Sequence, residues 1–347
     1  MRLARTGVRI SPAALRIVPV ALSVAVLTAG CHVPGTGGSG LASGSGPITV
    51  AYVAGIDNAP LLVGIHDGLF RQHGLDVTVT SYATLGDEVQ ALAKGQAQIA
   101  VGDYTGFLYE QATGHFPLKL IADGYDATSN SVAILTLSSS TITTPQALQN
   151  QSAVVATPPQ VAPQSTPGSS VPNVPYNMAT LAAEEVLQND GVSPSSVTWK
   201  PMSAQDEITE LRDGQVNAIL TTEPYILQAE EQLGAVEVVD ASSGVTSGLP
   251  MSGYFSLASY AQANPSTVQA FQQALDQAQS DCAQRGPVET ELPQLITGMT
   301  SDEAALVTLG TYPASLNVGQ VQRVASLMYD SGMISSPISV QNLTTSP

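Results

Sequence analysis

Positive charge is what this chain has least of. Lysine and arginine total 11 against 28 aspartates and glutamates, and Arg2, Arg5, Arg9 and Arg16 all precede Cys31. The remainder sets seven basic residues against 28 acidic ones, a net of −21. No phosphate-neutralising patch can be assembled from so few cations, which excludes nucleic acid as a partner. Charged residues of both signs make up only 11%, so Ser, Thr, Gln and Asn must keep the surface wet. The acidity serves solubility in a crowded envelope or attraction of a cationic ligand. Two cysteines, Cys31 and Cys282, give no disulfide framework, and Cys282 falls on a helical pattern as a buried free thiol. His66, His73 and His115 lack the spacing of a metal site, so no metal and no cofactor is expected.

The first 31 residues also lack enough apolar length for a membrane span, which needs roughly 20 residues. An Arg-bearing start, an apolar run from Ile17 to Ala29 and small residues before Cys31 read instead as a signal peptide, residues 1–31. Leu27-Thr28-Ala29-Gly30-Cys31 resembles a bacterial lipobox, with Thr28 where the usual leucine stands. Cys31 is therefore the expected lipidation site, and the lipid would anchor the chain to the outer face of the cell membrane. Residues 32–46, mostly Gly and Ser, read as a tether. Gly35-Thr36-Gly37-Gly38 within it is no phosphate loop, because no helix follows.

What is present is a repeated unit. From Thr84 to Tyr104 the chain spells a capped helix (Thr84 with Asp87), an apolar stripe (Val89, Leu92), a left-handed corner at Gly95-Gln96, a strand from Ala97 to Val101, and the loop Gly102-Asp103-Tyr104. Ser203 to Tyr225 repeats it: Ser203 with Asp206, Ile208 and Leu211, Gly214-Gln215, Val216 to Leu220, then Thr222-Glu223-Pro224-Tyr225. That order of five features points to an internal duplication giving two similar α/β lobes. Ligands of open α/β sheets lie beyond the strands' carboxyl ends, so both tyrosine-bearing loops are expected to face one cleft.

The expected fold class is therefore α/β, with lobe one from 47–140 plus 252–347 and lobe two from 141–251. Pro60 to Gly74 reads as one helix, with Asp57 or Asn58 as its cap. Ser131 to Leu137 reads as a strand crossing toward the second lobe, and Met251 to Leu257 carries the chain back. Thr157 to Pro175 is rich in Pro, Ser and Gln without apolar periodicity, and reads as a long loop, functional or disordered. Thr267-Val268-Phe271-Leu275-Ala278 is the clearest stripe of a helical C-terminal part, and the tail after Pro337 is expected to fray.

Ala59-Pro60-Leu61, Asp67-Gly68-Leu69-Phe70, Gly74-Leu75-Asp76-Val77, Leu92 to Ala100 and Gly214-Gln215-Val216-Asn217-Ala218 running into Glu223-Pro224-Tyr225 resemble one family. It is that of ABC-importer solute-binding lipoproteins serving nitrate, sulfonates such as taurine, and thiamine-pyrimidine precursors. The resemblance implies a type II periplasmic-binding-protein fold, two doubly wound mixed sheets joined by two crossover strands. It also implies a monomer that captures a small ligand and meets an ABC transporter permease. Carried over by position, the site residues are Asp57, Asn58, Thr84, Asp103, Tyr104, Tyr125, Glu223 and Tyr225. Thr84 caps a helix or also meets an anion; Asp103 and Glu223 cap helices or touch ligand; the tyrosines hold a ring or pack in the core. No lysine or arginine falls among these loops, which favours an uncharged or amine-bearing ring compound over sulfonate or nitrate. A surface sensor on the same fold is the alternative; a synthase of this fold would need a lysine-bound cofactor, a histidine and a cysteine-rich stretch.

Overall fold

The computed structural model describes residues 47–115, 117–149, 154–157 and 177–345. The expected signal peptide, tether and Cys31, and residues 158–175 of the proline-rich segment, lie outside the described residues. The first run of elements is β1 (Ile48–Val53), α1 (Ala59–His66), α2 (Leu69–Gln72), β2 (Val77–Tyr82), α3 (Leu85–Ala93), β3 (Ile99–Asp103), α4 (Tyr104–Thr113) and β4 (Leu118–Asp126). The second is β5 (Val132–Leu137), β6 (Val154–Thr157), α5 (Met178–Asn189), β7 (Thr198–Pro201), α6 (Ala204–Arg212), β8 (Ala218–Thr222), α7 (Tyr225–Leu233) and β9 (Ala235–Asp240). The chain then returns through β10 (Pro250–Leu257) to α8 (Ala258–Ala263), α9 (Pro265–Asp281), α10 (Arg285–Leu295), α11 (Ser301–Leu306) and α12 (Val318–Asp330).

Two mixed five-stranded sheets result, in the orders β2-β1-β3-β10-β4 and β7-β6-β8-β5-β9. These are one order written twice. In each sheet the fourth strand is the antiparallel one, and in each it has just crossed from the other sheet. β5 is hydrogen-bonded between β8 and β9, so the change of sheet falls between Asp126 and Val132, earlier than the boundary expected at residue 140.

The duplicated local units fold alike. Thr84 Oγ1 accepts from Asp87 N at 3.1 Å, and Ser203 Oγ accepts from Asp206 N at 3.2 Å. Each hydroxyl in turn donates to the aspartate it caps, at 2.8 and 2.7 Å. Gly95 and Gly214 take the left-handed conformation that ends each helix, with φ of 69° and 66°. Helices cover both faces of the first sheet. The α9 stripe buries Val268, Phe271 and Leu275 with Leu61 and Phe70, and the Phe70 and Phe271 rings stack at 5.1 Å. Full burial of each such ring stabilises the lobe by about 2–3 kcal/mol. A second core includes α4, α5 and α12 and runs from Ala51 and Phe107 through to Val155 and Leu220 of the other sheet.

Two expectations are corrected. The helix read from Pro60 to Gly74 is two, because Gly68 adopts a left-handed φ of 70° and breaks the run. The tail is tied down within the described residues: Leu120 N donates to Leu343 O at 2.9 Å, and Lys119 Nζ donates to Asn342 O and Thr344 O. No described helix is long and apolar enough to cross a membrane.

Candidate functional site

The equal strand orders place equivalent strand ends opposite one another. Ser252 pairs with Asp103 at the end of β3, and Val132 pairs with Thr222 at the end of β8. All four residues line a cavity of about 210 Å³. Gly55, Ile56 and Asp57 enter from the loop after β1, Tyr125 from β4, and Asn177, Met178 and Ala179 from the start of α5. Ser131, Glu223 and Met251 complete the wall. A larger hollow of about 860 Å³ runs along α9 and β4, away from the strand ends that meet here.

Asp103 and Glu223 do matching work. Asp103 Oδ1 accepts from Thr105 N at 2.8 Å, capping α4, while Oδ2 accepts from Met178 N at 2.8 Å, across to the other sheet's first helix. Glu223 Oε2 accepts from Leu227 N at 3.2 Å in α7, while Oε1 accepts from Thr308 N at 2.8 Å in the C-terminal part of the chain. Each carboxylate thus caps its own helix and ties the two halves together. Burial raises both above the ordinary carboxylate range, and the backbone N–H donors pull them part of the way back. Asp57 makes no such tie. Burial pushes it up to about 6; the Ser252 hydroxyl lies near enough to pull it down slightly, and the Asp103 charge raises it further.

Four of the eight sequence-predicted residues come together at the cavity: Asp57, Asp103, Tyr125 and Glu223. Tyr125 presents its ring there while its hydroxyl accepts from Gly310 N at 2.6 Å. Only glycine fits at 310, since a Cβ would lie 2.1 Å from Asp126 O and 2.6 Å from the Tyr125 ring.

The other four are placed elsewhere. Tyr104 is fully buried, edge-on to Phe255 with centroids 5.7 Å apart, and its hydroxyl donates to Asp123 Oδ1. It opens α4 facing the sheet, where Gly253 leaves room: a Cβ there would sit 2.7 Å from the ring. Tyr225 is half-buried against the α6–α7 core and not at the cavity. The expectation of two tyrosine tips in one cleft therefore holds for the loops and fails for the tyrosines; the acids take their place. Thr84 is an exposed helix cap. Asn58 is fully buried behind Asp57 and makes no cap bond, and neither its amide nitrogen nor its oxygen has a partner. Sequence reasoning missed Ser131, Val132, Met178, Ala179, Met251 and Ser252, whereas Thr222 lies in a loop it expected at the cleft. Only the break from strand to helix before α5 and the turn into β10 could have signalled them.

Among the described residues no cluster of His, Cys, Asp and Glu could hold a metal ion. His66 and His115 pair with Glu291 and Glu110 away from the cavity, and Cys282 is a free buried thiol pushed up to about 12 by burial.

The fold is shared widely. The periplasmic aliphatic sulphonate binding protein SsuA of Escherichia coli superposes with a TM-score of 0.66 at 17% identity, over 86% of this chain and 97% of that one. SsuA of Xanthomonas axonopodis pv. citri, bound to MOPS, gives 0.66 at 18%, over 88% and 99%. The nitrate-binding protein NrtA of Synechocystis PCC 6803 gives 0.64 at 14%, over 86% and 84%. These likenesses establish the two-lobed periplasmic-binding-protein fold. No curated protein sequence matches the chain. The family model described as NMT1/THI5 like matches residues 56–289, more than half the chain and every described residue of the cavity wall except Gly55; this chain belongs to the NMT1/THI5-like family.

Proposed function

We propose that this chain is an extracytoplasmic solute-binding lipoprotein, anchored through Cys31, that closes on a small organic solute and delivers it to an ABC importer. The carrying observation is the cavity itself, small, walled from both sheets and placed where equivalent strand ends meet. Closure follows if the solute gains contacts with both lobes only when they meet, because only differential affinity moves such an equilibrium. The solute is aromatic or aminopyrimidine-like, or sulfonate- or nitrate-like. Transport is favoured over synthase chemistry because no lysine, histidine or cysteine lines the described wall.

A thermal-shift screen of the full chain over those four solute types tests the reading. A ligand at about 100 times its dissociation constant adds about 2.7 kcal/mol to stability. A Tm unmoved by every member of the screen would refute it. Cys31→Ser should move the protein from the membrane to the soluble fraction.

A further inference from the structure

Building on the solute-binding reading, we propose that the cavity takes a cationic head group rich in N–H donors (an amidinium, a guanidinium or a protonated aminoheterocycle) and that Asp57 receives it. Among the described residues, every charged residue lining the cavity is an acid: Asp57, Asp103 and Glu223. The segment from 158 to 176, which joins β6 to the cavity-lining start of α5, contains no lysine, arginine or histidine in its sequence.

Three of the helix starts an anion would use are already filled. Helix N-termini attract anions through their free N–H groups. Here Asp103 takes Thr105 N of α4 and Met178 N of α5, Asn177 takes Thr180 N, and Glu223 takes Leu227 N of α7. The chain thus supplies its own carboxylate to the starts of α4, α5 and α7, while the turn that opens α1 carries the Asp57 carboxyl group itself. A nitrate or sulfonate would find these three helix starts occupied and three carboxyl groups around it.

Asp57 is different from its two neighbours, since neither of its oxygens is held by a backbone N–H of another element. Next to it the Ser252 hydroxyl, 3% exposed and part of the wall, lies toward Asp57 without closing a well-formed hydrogen bond to any protein group. A planar cation with two or more N–H groups satisfies both at once, placing its charge on Asp57 and one donor on Ser252 Oγ.

Isothermal titration and thermal shift on the full chain, with the isosteric set benzamidinium, benzamide and benzoate and with guanidinium, taurine and nitrate, test this at pH 7.5. The expected result is that benzamidinium or guanidinium binds at least tenfold tighter than benzamide, with no binding of benzoate, taurine or nitrate. Asp57→Asn should reduce cation affinity at least tenfold while the unliganded Tm stays the same or rises. If benzoate, taurine or nitrate binds as tightly as the cations, or if benzamide matches benzamidinium, the cation proposal falls while solute binding stands. If Asp57→Asn keeps full affinity, the assignment of Asp57 falls. If no member binds, both this proposal and the solute-binding reading fall.

Discussion

Asp103 acts on two quantities that mutation can separate. Its Oδ1 caps α4 within its own lobe, whereas its Oδ2 accepts from Met178 N of the other, so in the proposed opening only the second bond would break. Asp103→Ala removes both interactions. Losing the cap costs about 1 kcal/mol of overall stability. Losing a charge-assisted bond and leaving the Met178 N–H without an acceptor costs a further ~1.5–3 kcal/mol, borne by the closed form alone. That second amount lowers the closed-to-open ratio by roughly 10- to 150-fold. Asp103→Asn keeps one oxygen for the cap but offers an NH₂ group where the other donor needs an acceptor, so it isolates the closure effect. The assay is the inter-lobe distance of the unliganded protein, from a dye pair or small-angle scattering, with solute affinity measured alongside. Burial disfavours the charged form of this carboxyl group, so the comparison is made on the alkaline side, at pH 8. If the wild type is mostly open, affinity falls by the full factor; if mostly closed, by less. An Asp103→Asn protein with wild-type inter-lobe distances and wild-type affinity would refute the reasoning.

The matched tie predicts a matched result: Glu223→Gln should loosen closure through Thr308 as Asp103→Asn does through Met178, seen in the same distance measurement. Tyr104→Phe takes a buried donor from Asp123 and should cost about 1–3 kcal/mol in a urea melt with solute affinity unchanged; a large affinity loss would return Tyr104 to the site. Thr84→Ala and Ser203→Ala should each cost about 1 kcal/mol, and similarly, since their cap geometries coincide. Burial raises Asp57 to about 6, Asp126 and Glu184 to about 7, and Glu207 to about 8. The folded chain therefore holds more protons than the unfolded chain between about pH 4 and 8. Its stability is full below the unfolded values and is lost as pH rises through the folded ones. The Tm should climb as pH falls from 8 toward 5, and Glu207→Gln should flatten the upper part of that slope.

The fold was legible because its signals are local. A hydroxyl three residues before an aspartate, a stripe, and a glycine at the C-terminal turn each act within one helix, and the structure repeats them in both halves. Helix α9 could likewise be read from its spacing, and Val268, Phe271 and Leu275 are buried as the stripe requires. The site was half-legible for the opposite reason. Asp103 and Glu223 follow strands whose ends the pattern fixes, but which way Tyr104 turns depends on Gly253 and Phe255, some 150 residues away in sequence. Ser252 and Val132 reach the cavity only through the antiparallel register of strands that arrive from the opposite lobe. Nothing local to either residue announces that pairing.

A further regularity shows what the repeat preserves. Glu88 and Glu207 occupy the same place in the two units, four residues after Thr84 and Ser203. Both are fully buried, and neither carboxyl group closes a well-formed hydrogen bond, though the Val101 N–H lies near Glu88 and the Thr221 hydroxyl near Glu207. Burial pushes Glu88 well above the usual range, with Asp57 and Asp103 adding to the rise, and pushes Glu207 up to about 8. An apolar residue would suit those helix faces better, because a buried, unpaired carboxyl group costs a few kcal/mol even when neutral. Each instead backs the strand residue just before the cavity: Glu88 lies against Gly102, which precedes Asp103, and Glu207 lies near the Thr221 hydroxyl, which precedes Thr222. The same buried acid thus recurs at one point of the pattern in both units. Local rules are broken where a site requires it, and the two breaches lie directly behind the two strand ends that form the cavity floor.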